Sequence, residues 1–308
     1  MKRVLIIGAS GFIGSEIYKI LLKQEKIQIM VLAHNNVDYK IYEGVNLYIG
    51  SFTNINLSII KNFNPDTIIH SARISGSTKI KRLYASIKGY FGNNRLRNYL
   101  IKNIPNVKIL YVSGTLVYGN GNSNKISENS KINPISFARE YFQAEKPWLN
   151  AQKRNLLKVS IVRPPWIIGN GSWFYSFFVN TSKKYGFVPV YGNGENWMSL
   201  IDVEDCAGLI INIIKNCEPG RVYNIYTPEQ YVKQKDFCKE LSNILKMDVK
   251  IIKKSHPLFP KNKATIEAFQ SSLMLATNYP EIFNNYSFKN KKWKDMLKKY
   301  ALIDGKKN

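Results

Sequence analysis

The sequence predicts an α/β fold, a doubly wound parallel sheet with a smaller C-terminal substrate-binding lobe, and three observations predict it. Short runs that are apolar along their whole length alternate with segments of helical periodicity through the first half of the chain. Three glycines stand where the first such run meets the first helical segment. Beyond residue 170 the alternation loosens into aromatic-rich and basic stretches.

Taken in order, "RVLIIGA" (3–9) is the first strand, and "IGSEIYKILLKQE" (13–25) follows it with Ile17, Ile20 and Leu21 at helical spacing. "IQIMVLAH" (27–34) and "VNLYIGS" (45–51) are the second and third strands, and "LSIIKNFNP" (57–65) is a helix stopped by Pro65. "DTIIHSA" (66–72), "VKILYVSG" (107–114) and "LKVSIVRPP" (157–165) continue the series, with a long helical segment ending in "NRLRNYLIKN" (94–103) between the first two. Strands apolar on both faces belong inside a parallel sheet covered by crossover helices. In the second part, "PGRVYNIYT" (219–227) reads as a further sheet strand and "VKQKDFCKELSNILKM" (232–247) as an amphipathic helix. Residues 1–170 are therefore expected to be mainly a nucleotide-binding unit and 171–308 mainly a substrate lobe, with segments around 198–227 returning to the sheet.

The 308 residues suffice for a core without disulfides, and the three cysteines, Cys206, Cys217 and Cys238, have no CxxC spacing. No run reaches the roughly 18 apolar residues of a membrane span, so a cytoplasmic location is expected. Lysine and arginine number 45 against 21 acids, a formal +24. The excess is scattered, and no zinc finger or RNP-like strand accompanies it. It is read as a solvated surface, with a phosphorylated substrate as a further reason and nucleic acid as the minority reading. No His/Cys/Asp cluster has metal-ligand spacing.

"GASGFIG" places Gly8, Gly11 and Gly14, with Ser10, Phe12 and Ile13 between them, at the strand-to-helix turn. Glycines there permit a tight turn and close approach of a pyrophosphate, which the helix N-terminus attracts. With strand, turn and helix in sequence, this is a Rossmann-like dinucleotide cradle. The second strand ends in His34, Asn35 and Asn36, with no acid before Asp38. A neutral edge tolerates a 2′-phosphate and tilts the reading towards NADP(H); Asn35 bonding the ribose of NAD is the competing reading.

With these residues the chain resembles an extended short-chain dehydrogenase/reductase of the NAD-dependent epimerase/dehydratase family. "GASGFIG" resembles the family's GxxGxxG, "DTIIHSAR" (66–73) its DxVIHLAA, "VSGTLVYG" (112–119) its SSxxVYG and "VRPPWIIGNG" (162–171) its RPxxVYGPG. "MSLIDVEDCAGLI" (198–210) is similar to its VHVDDVA segment. The resemblance implies that Ser71, Ala72 and Arg73, and further on Pro164, Trp166 and Ile167, lie along a bound nicotinamide dinucleotide. It also implies a nucleotide-activated or phosphorylated sugar as substrate, and it is compatible with a homodimer.

The family's chemistry uses a tyrosine that exchanges a proton with the substrate oxygen, a lysine one helical turn on that lowers the tyrosine's pKa and holds the nicotinamide ribose, and a serine. This chain departs at all three. The serine position is Gly114, with hydroxyls displaced onto Ser113 and Thr115, which in a strand face away from position 114, while a loop beginning at Gly114 would turn one of them inward. "PISFAREYFQAEKPWL" puts Phe137 in the tyrosine slot and Tyr141 in the lysine slot, followed by Glu145 and Leu149. Shifting the frame so that Tyr141 is the tyrosine leaves Glu145 where the lysine belongs.

Two repairs are open: Tyr141 as acid/base with Ser113 or Thr115 as second donor, or Arg73 and Arg139 taking ribose and phosphate contacts. Simple packing of Phe137 and Tyr141 is the bland alternative. The functional reading is an NAD(P)-dependent oxidoreductase or epimerase/dehydratase-like enzyme with non-standard acid/base residues. Its rival is an inactive cofactor-binding scaffold or regulator, with RNA association as one form. Trp173 and Trp197 are read as packing more than stacking on a ligand, Asp202 and Asp205 as segment anchors, and His70 as a core histidine.

Overall fold

The computed structural model describes residues 1–34 and 38–302. Its first half runs β1 (Arg3–Ile7), α1 (Phe12–Leu22), β2 (Gln28–Ala33), β3 (Asn46–Ile49), α2 (Ser58–Phe63), β4 (Thr67–His70), α3 (Lys79–Asn103), β5 (Lys108–Val112), β6 (Lys125–Ile126), α4 (Ser136–Lys153) and β7 (Lys158–Arg163). The remainder is β8 (Trp166–Ile168), α5 (Asn180–Tyr185), β9 (Phe187–Tyr191), β10 (Trp197–Asp202), α6 (Val203–Asn216), β11 (Val222–Asn224), β12 (Tyr231–Lys233), α7 (Gln234–Leu245), β13 (Asp248–Ile252), α8 (Lys263–Gln270), β14 (Met274–Leu275) and α9 (Trp293–Ala301). Among the described residues no helix is long and apolar enough to cross a membrane.

Seven parallel strands form the main sheet in the order β3-β2-β1-β4-β5-β7-β11. Strand β11 comes from the second part of the chain and pairs with β7 from Val222–Ile161 to Asn224–Arg163. The register explains the unbroken apolar runs. Val4 and Ile6 of β1 enter a core with Ile17 and Leu21 of α1 and Ile210 of α6, whereas Leu5 and Ile7 enter another with Ile60 of α2, Leu96 of α3 and Trp148 of α4. Alternate residues thus point to opposite layers, and both layers are apolar.

The sheet order reverses between β1 and β4. Connections leave those two strands in opposite directions, so a crevice opens beyond their carboxyl ends, where ligands bind in open α/β sheets. The "GASGFIG" turn and "SAR" segment lie at that edge because each directly follows one of the two strands.

One buried polar junction fixes the helices behind the crevice. His70 at the end of β4 is fully buried, its Nε2 is 2.9 Å from Asn93 Oδ1, and Asn93 Nδ2 donates to the Ala144 carbonyl at 2.7 Å. A single imidazole therefore ties β4 to α3 and α4. Burial pushes its pKa down to about 4, with the Asn93 bond opposing the shift. The folded chain then binds the His70 proton only below the pH at which the unfolded chain already holds one. Stability present above the ordinary histidine pKa should be lost as pH falls from about 6.5 towards 4, by up to roughly 3 kcal/mol for this group. Urea unfolding across that window should show the loss in the parent and a flatter profile in His70→Gln, which keeps an amide for Asn93.

Candidate active site

The three glycines of the β1–α1 turn do different work. Gly8 has φ of +91°, a region open to glycine, and a side chain there would meet the Ala72 backbone nitrogen at 2.7 Å. A Cβ at Gly14 would lie 2.0 Å from the Gly8 carbonyl oxygen. These two positions let α1 and β4 close on the turn. Gly11 is different: its φ of −81° suits any residue, and an added Cβ would meet only the Gly8 oxygen, at 3.2 Å. The space beyond it is open crevice. Gly11 is also the N-cap of α1 and makes no side-chain cap bond, so the first-turn N–H groups of the helix face that space without a capping side chain.

A cavity of about 610 Å³ lies there, lined by Gly8, Ser10 and Gly11 from the turn, Ala33 and His34 from the end of β2, Ser71, Ala72 and Arg73 from the end of β4, and Lys88 of α3. Ser10 Oγ accepts the His34 N–H at 3.0 Å and ties the turn to β2. The cavity has cations at its rim and no carboxylate among its described lining residues. A glycine-bounded turn, a helix N-terminus and this charge fit a dinucleotide with its phosphates at Gly11. Asn35 lies outside the described residues.

A second cavity, of about 550 Å³, continues from the first at Ser71 and Arg73 and runs across the ends of β5 and β7. Phe12, Ile13, Ser113, Gly114, Thr115, Phe137, Tyr141, Pro164, Trp166 and Ile167 all line it. The predicted catalytic and nicotinamide-side residues are thereby brought together. Trp166 also packs on Trp173 at 4.4 Å and on Phe269 at 5.7 Å between ring centroids, so it is part of an aromatic wall.

Tyr141 fills the place that the sequence leaves empty. A Cβ built on Gly114 would lie 3.2 Å from the Tyr141 hydroxyl oxygen and 3.5 Å from its Cζ. Gly114 has an extended backbone, φ −175°, that any residue adopts. Space, not conformation, favours glycine here: a side chain at 114 would press on the phenol unless one of the two shifts by a few tenths of an ångström. The missing serine and the tyrosine in the lysine slot are two halves of one arrangement, in which a phenol oxygen occupies the volume beside position 114.

The flanking hydroxyls are engaged elsewhere. Ser113 Oγ donates to Glu145, and Thr115 Oγ1 donates to the Pro164 carbonyl at 3.2 Å. Glu145 also accepts from the Arg163 guanidinium, which lies 4.9 Å from the centre of the Tyr118 ring, and Tyr118 donates to Asn224 at 2.9 Å. Glu145 is 0% and Arg163 2% exposed, so this pair is a buried lock between α4, β5 and β7, and deleting one partner would strand the other charge. Of the three predicted hydroxyls, Tyr141 alone donates to no protein acceptor among the described residues. Burial holds its phenol well above the usual range; the Arg73 charge pulls it down, Glu145 raises it, and Arg163 and the Leu116 N–H pull down again.

Arg139 does not join the site: it is exposed, with Nε donating to the Pro134 carbonyl at 3.3 Å. Trp197 stands clear of both cavities beside Lys233. Sequence reasoning missed Thr265, Ala268 and Phe269 of α8, which wall the second cavity, and Lys88 of α3.

A profile of the NAD dependent epimerase/dehydratase family matches residues 4–226. The chain is 26% identical over 278 residues to a dTDP-D-glucose 4,6-dehydratase of Dictyostelium discoideum, a match covering 79% of this chain but 62%, less than two thirds, of that protein. Among solved structures, dTDP-glucose 4,6-dehydratase from Bacillus anthracis in complex with NAD superposes with a TM-score of 0.77 at 20% identity, covering 98% of this chain and 96% of that one. UDP-glucuronic acid 4-epimerase from Bacillus cereus in complex with NAD gives 0.78 at 16% identity, covering 97% of each chain. The two superpositions show a shared fold.

The contact between positions 114 and 141 predicts an energetic coupling. In extended backbone, Gly→Ala restricts the unfolded chain and stabilises by about 0.4–1 kcal/mol where there is room. Gly114→Ala should show that gain in a Tyr141→Phe background and lose it in the parent, a coupling of about 1 kcal/mol in a urea double-mutant cycle.

Proposed function

The chain belongs to the NAD dependent epimerase/dehydratase family, and on that premise we propose that it is an NAD(P)-dependent oxidoreductase or epimerase-like enzyme in which Tyr141 moves the proton. Its substrate is a nucleotide-activated or phosphorylated sugar. The single observation that carries the reading is the phenol of Tyr141 seated beside Gly114 in the cavity that adjoins the glycine cradle. The substrate class is supported by the nucleotide-sugar activities of the similar proteins and by the positive charge of the chain.

When bound, the dinucleotide supplies or accepts hydride at its nicotinamide C4. The protein's own part is to hold it and to manage the proton. The N-terminus of α1 and the backbone at Gly11 would receive the pyrophosphate, and Phe12, Ile13 and Trp166 would bound the inner end. The edge at His34, free of carboxylates among the described lining residues, supports NADP(H) over NAD(H).

The raised pKa of Tyr141 keeps the phenol protonated at neutral pH. A protonated phenol suits reduction: it would give its proton to the oxygen of a carbonyl as that carbonyl is reduced to an alcohol, and solvent would reprotonate the phenolate. Oxidation needs the phenolate first. The rival reading, a scaffold that binds cofactor without chemistry, is favoured by Phe137, which puts a ring without a hydroxyl in the family's tyrosine slot.

Calorimetry should show a nicotinamide dinucleotide binding the parent, with NADP(H) preferred. Gly11→Val should abolish that binding while leaving the unfolding midpoint close to the parent's, because its side chain enters open crevice rather than packed backbone. Screened against nucleotide sugars, Tyr141→Phe should lose about 10²-fold in turnover. Reduction should hold steady through neutral pH and decline at alkaline pH, and oxidation should rise with pH, as the phenol facing Arg73, Glu145 and Arg163 ionises. An equal rate for Tyr141→Phe would leave the scaffold reading standing.

A further inference from the structure

We propose that Arg73 is the cation of this site, supplying from the end of β4 the positive charge that the lysine slot of α4 no longer carries, and so holding the ribose and phosphate of the dinucleotide beside Tyr141. This rests on the reading that the crevice binds a nicotinamide dinucleotide.

Position comes first. Ser71 and Arg73 are the described residues that line both cavities, so the guanidinium stands where a ligand must pass from the cradle to the inner pocket. Its Cζ lies 4.9 Å from the centre of the Phe137 ring and 5.1 Å from that of Tyr141, over the two slots whose family residues are absent. The ring faces give the cation a seat without consuming its N–H donors.

Availability comes second. Arg73 makes no ion pair among the described residues, whereas Arg82 pairs with Glu140 at 2.7 Å and Arg163 pairs with Glu145; Lys88, the other cation lining the cradle, does not line the inner cavity. A planar guanidinium with its donors unspent suits phosphate and ribose oxygens, and its exposure means that replacing it need not disturb the core.

Exclusion comes third. A lysine at position 141 would bring a second cation to the helix face over which the Arg73 guanidinium lies, and like charges at short range repel. The phenol of Tyr141 accepts the cation over its ring, and the same charge stabilises the phenolate against burial. Phe137 then has a positive role as the second half of the aromatic seat.

The test is a fluorescence titration of NADPH and NADH into the parent, Arg73→Met and Arg73→Lys. Arg73→Met, which keeps the stem, should bind about 10-fold more weakly, and Arg73→Lys should recover most of the loss. A second readout needs no ligand: the difference in alkaline tyrosinate absorbance between each protein and its Tyr141→Phe counterpart isolates Tyr141, whose midpoint should move to higher pH in Arg73→Met. In a Phe137→Tyr/Tyr141→Lys background, removing Arg73 should cost no affinity. If the parent binds neither dinucleotide, the underlying reading falls and this inference with it. If the parent binds but Arg73→Met matches it in affinity and in the Tyr141 midpoint, the role of Arg73 alone is overturned.

Discussion

One small volume at the end of β5 is contested: a Cβ on residue 114 would stand 3.2 Å from the hydroxyl of residue 141, close enough that one of them would have to give by a few tenths of an ångström. The chain fills it from the helix side, and much of the site follows. Position 114 is glycine, and the phenol that stands beside it comes from a full helical turn beyond the slot where a sequence comparison looks for a tyrosine. Tyr141 is held there from below. Glu145 lies four residues further along the same face of α4, locked to Arg163 of β7 and to Ser113 just beyond β5, so the helix cannot slide or roll without breaking a buried charge pair. The lock also occupies the Ser113 hydroxyl, while burial, against the pull of Arg73, holds the Tyr141 phenol above its usual range.

The cofactor side answers to a different constraint, the closeness of backbone at the switch point of the sheet. Gly8 and Gly14 let β1, β4 and α1 come together, while Gly11 keeps the space in front of the helix clear. Close packing thus falls to two glycines of one short motif and open space to the third. The two cavities meet at Ser71 and Arg73, which follow the strand next to β1 in the sheet, and this adjacency places a charged side chain between the cradle and the inner pocket.

Much of this was legible in the sequence because it depends on local pattern. Apolar runs buried on two faces give a parallel sheet, and a glycine triplet between strand and helix gives a cradle. The site was legible only in part, since its key relation is a contact between residues 27 positions apart. Read slot by slot, Gly114, Phe137 and Tyr141 look like three losses; in space the first makes room for the third. Strand alternation also misplaces the flanking hydroxyls. Thr115 begins a 3-10 turn spanning Thr115–Tyr118, where the period of two no longer holds, and both it and Ser113 reach the cavity wall with their protons given to other acceptors. Phe269 and Thr265 arrive from α8, more than a hundred residues from the nearest motif on α4, and carry no local signal that they wall the same space.

The central claim is that the phenol of Tyr141 faces the reacting carbon of the nicotinamide across the inner cavity. A diffraction structure of the parent with NADPH bound tests it most directly. The account predicts the pyrophosphate at Gly11, the nicotinamide ring in the cavity bounded by Phe12, Gly114 and Trp166, and the Tyr141 hydroxyl turned towards C4 with room for a carbonyl between them. A nicotinamide held outside that cavity, or a Tyr141 hydroxyl walled off from C4, would contradict it.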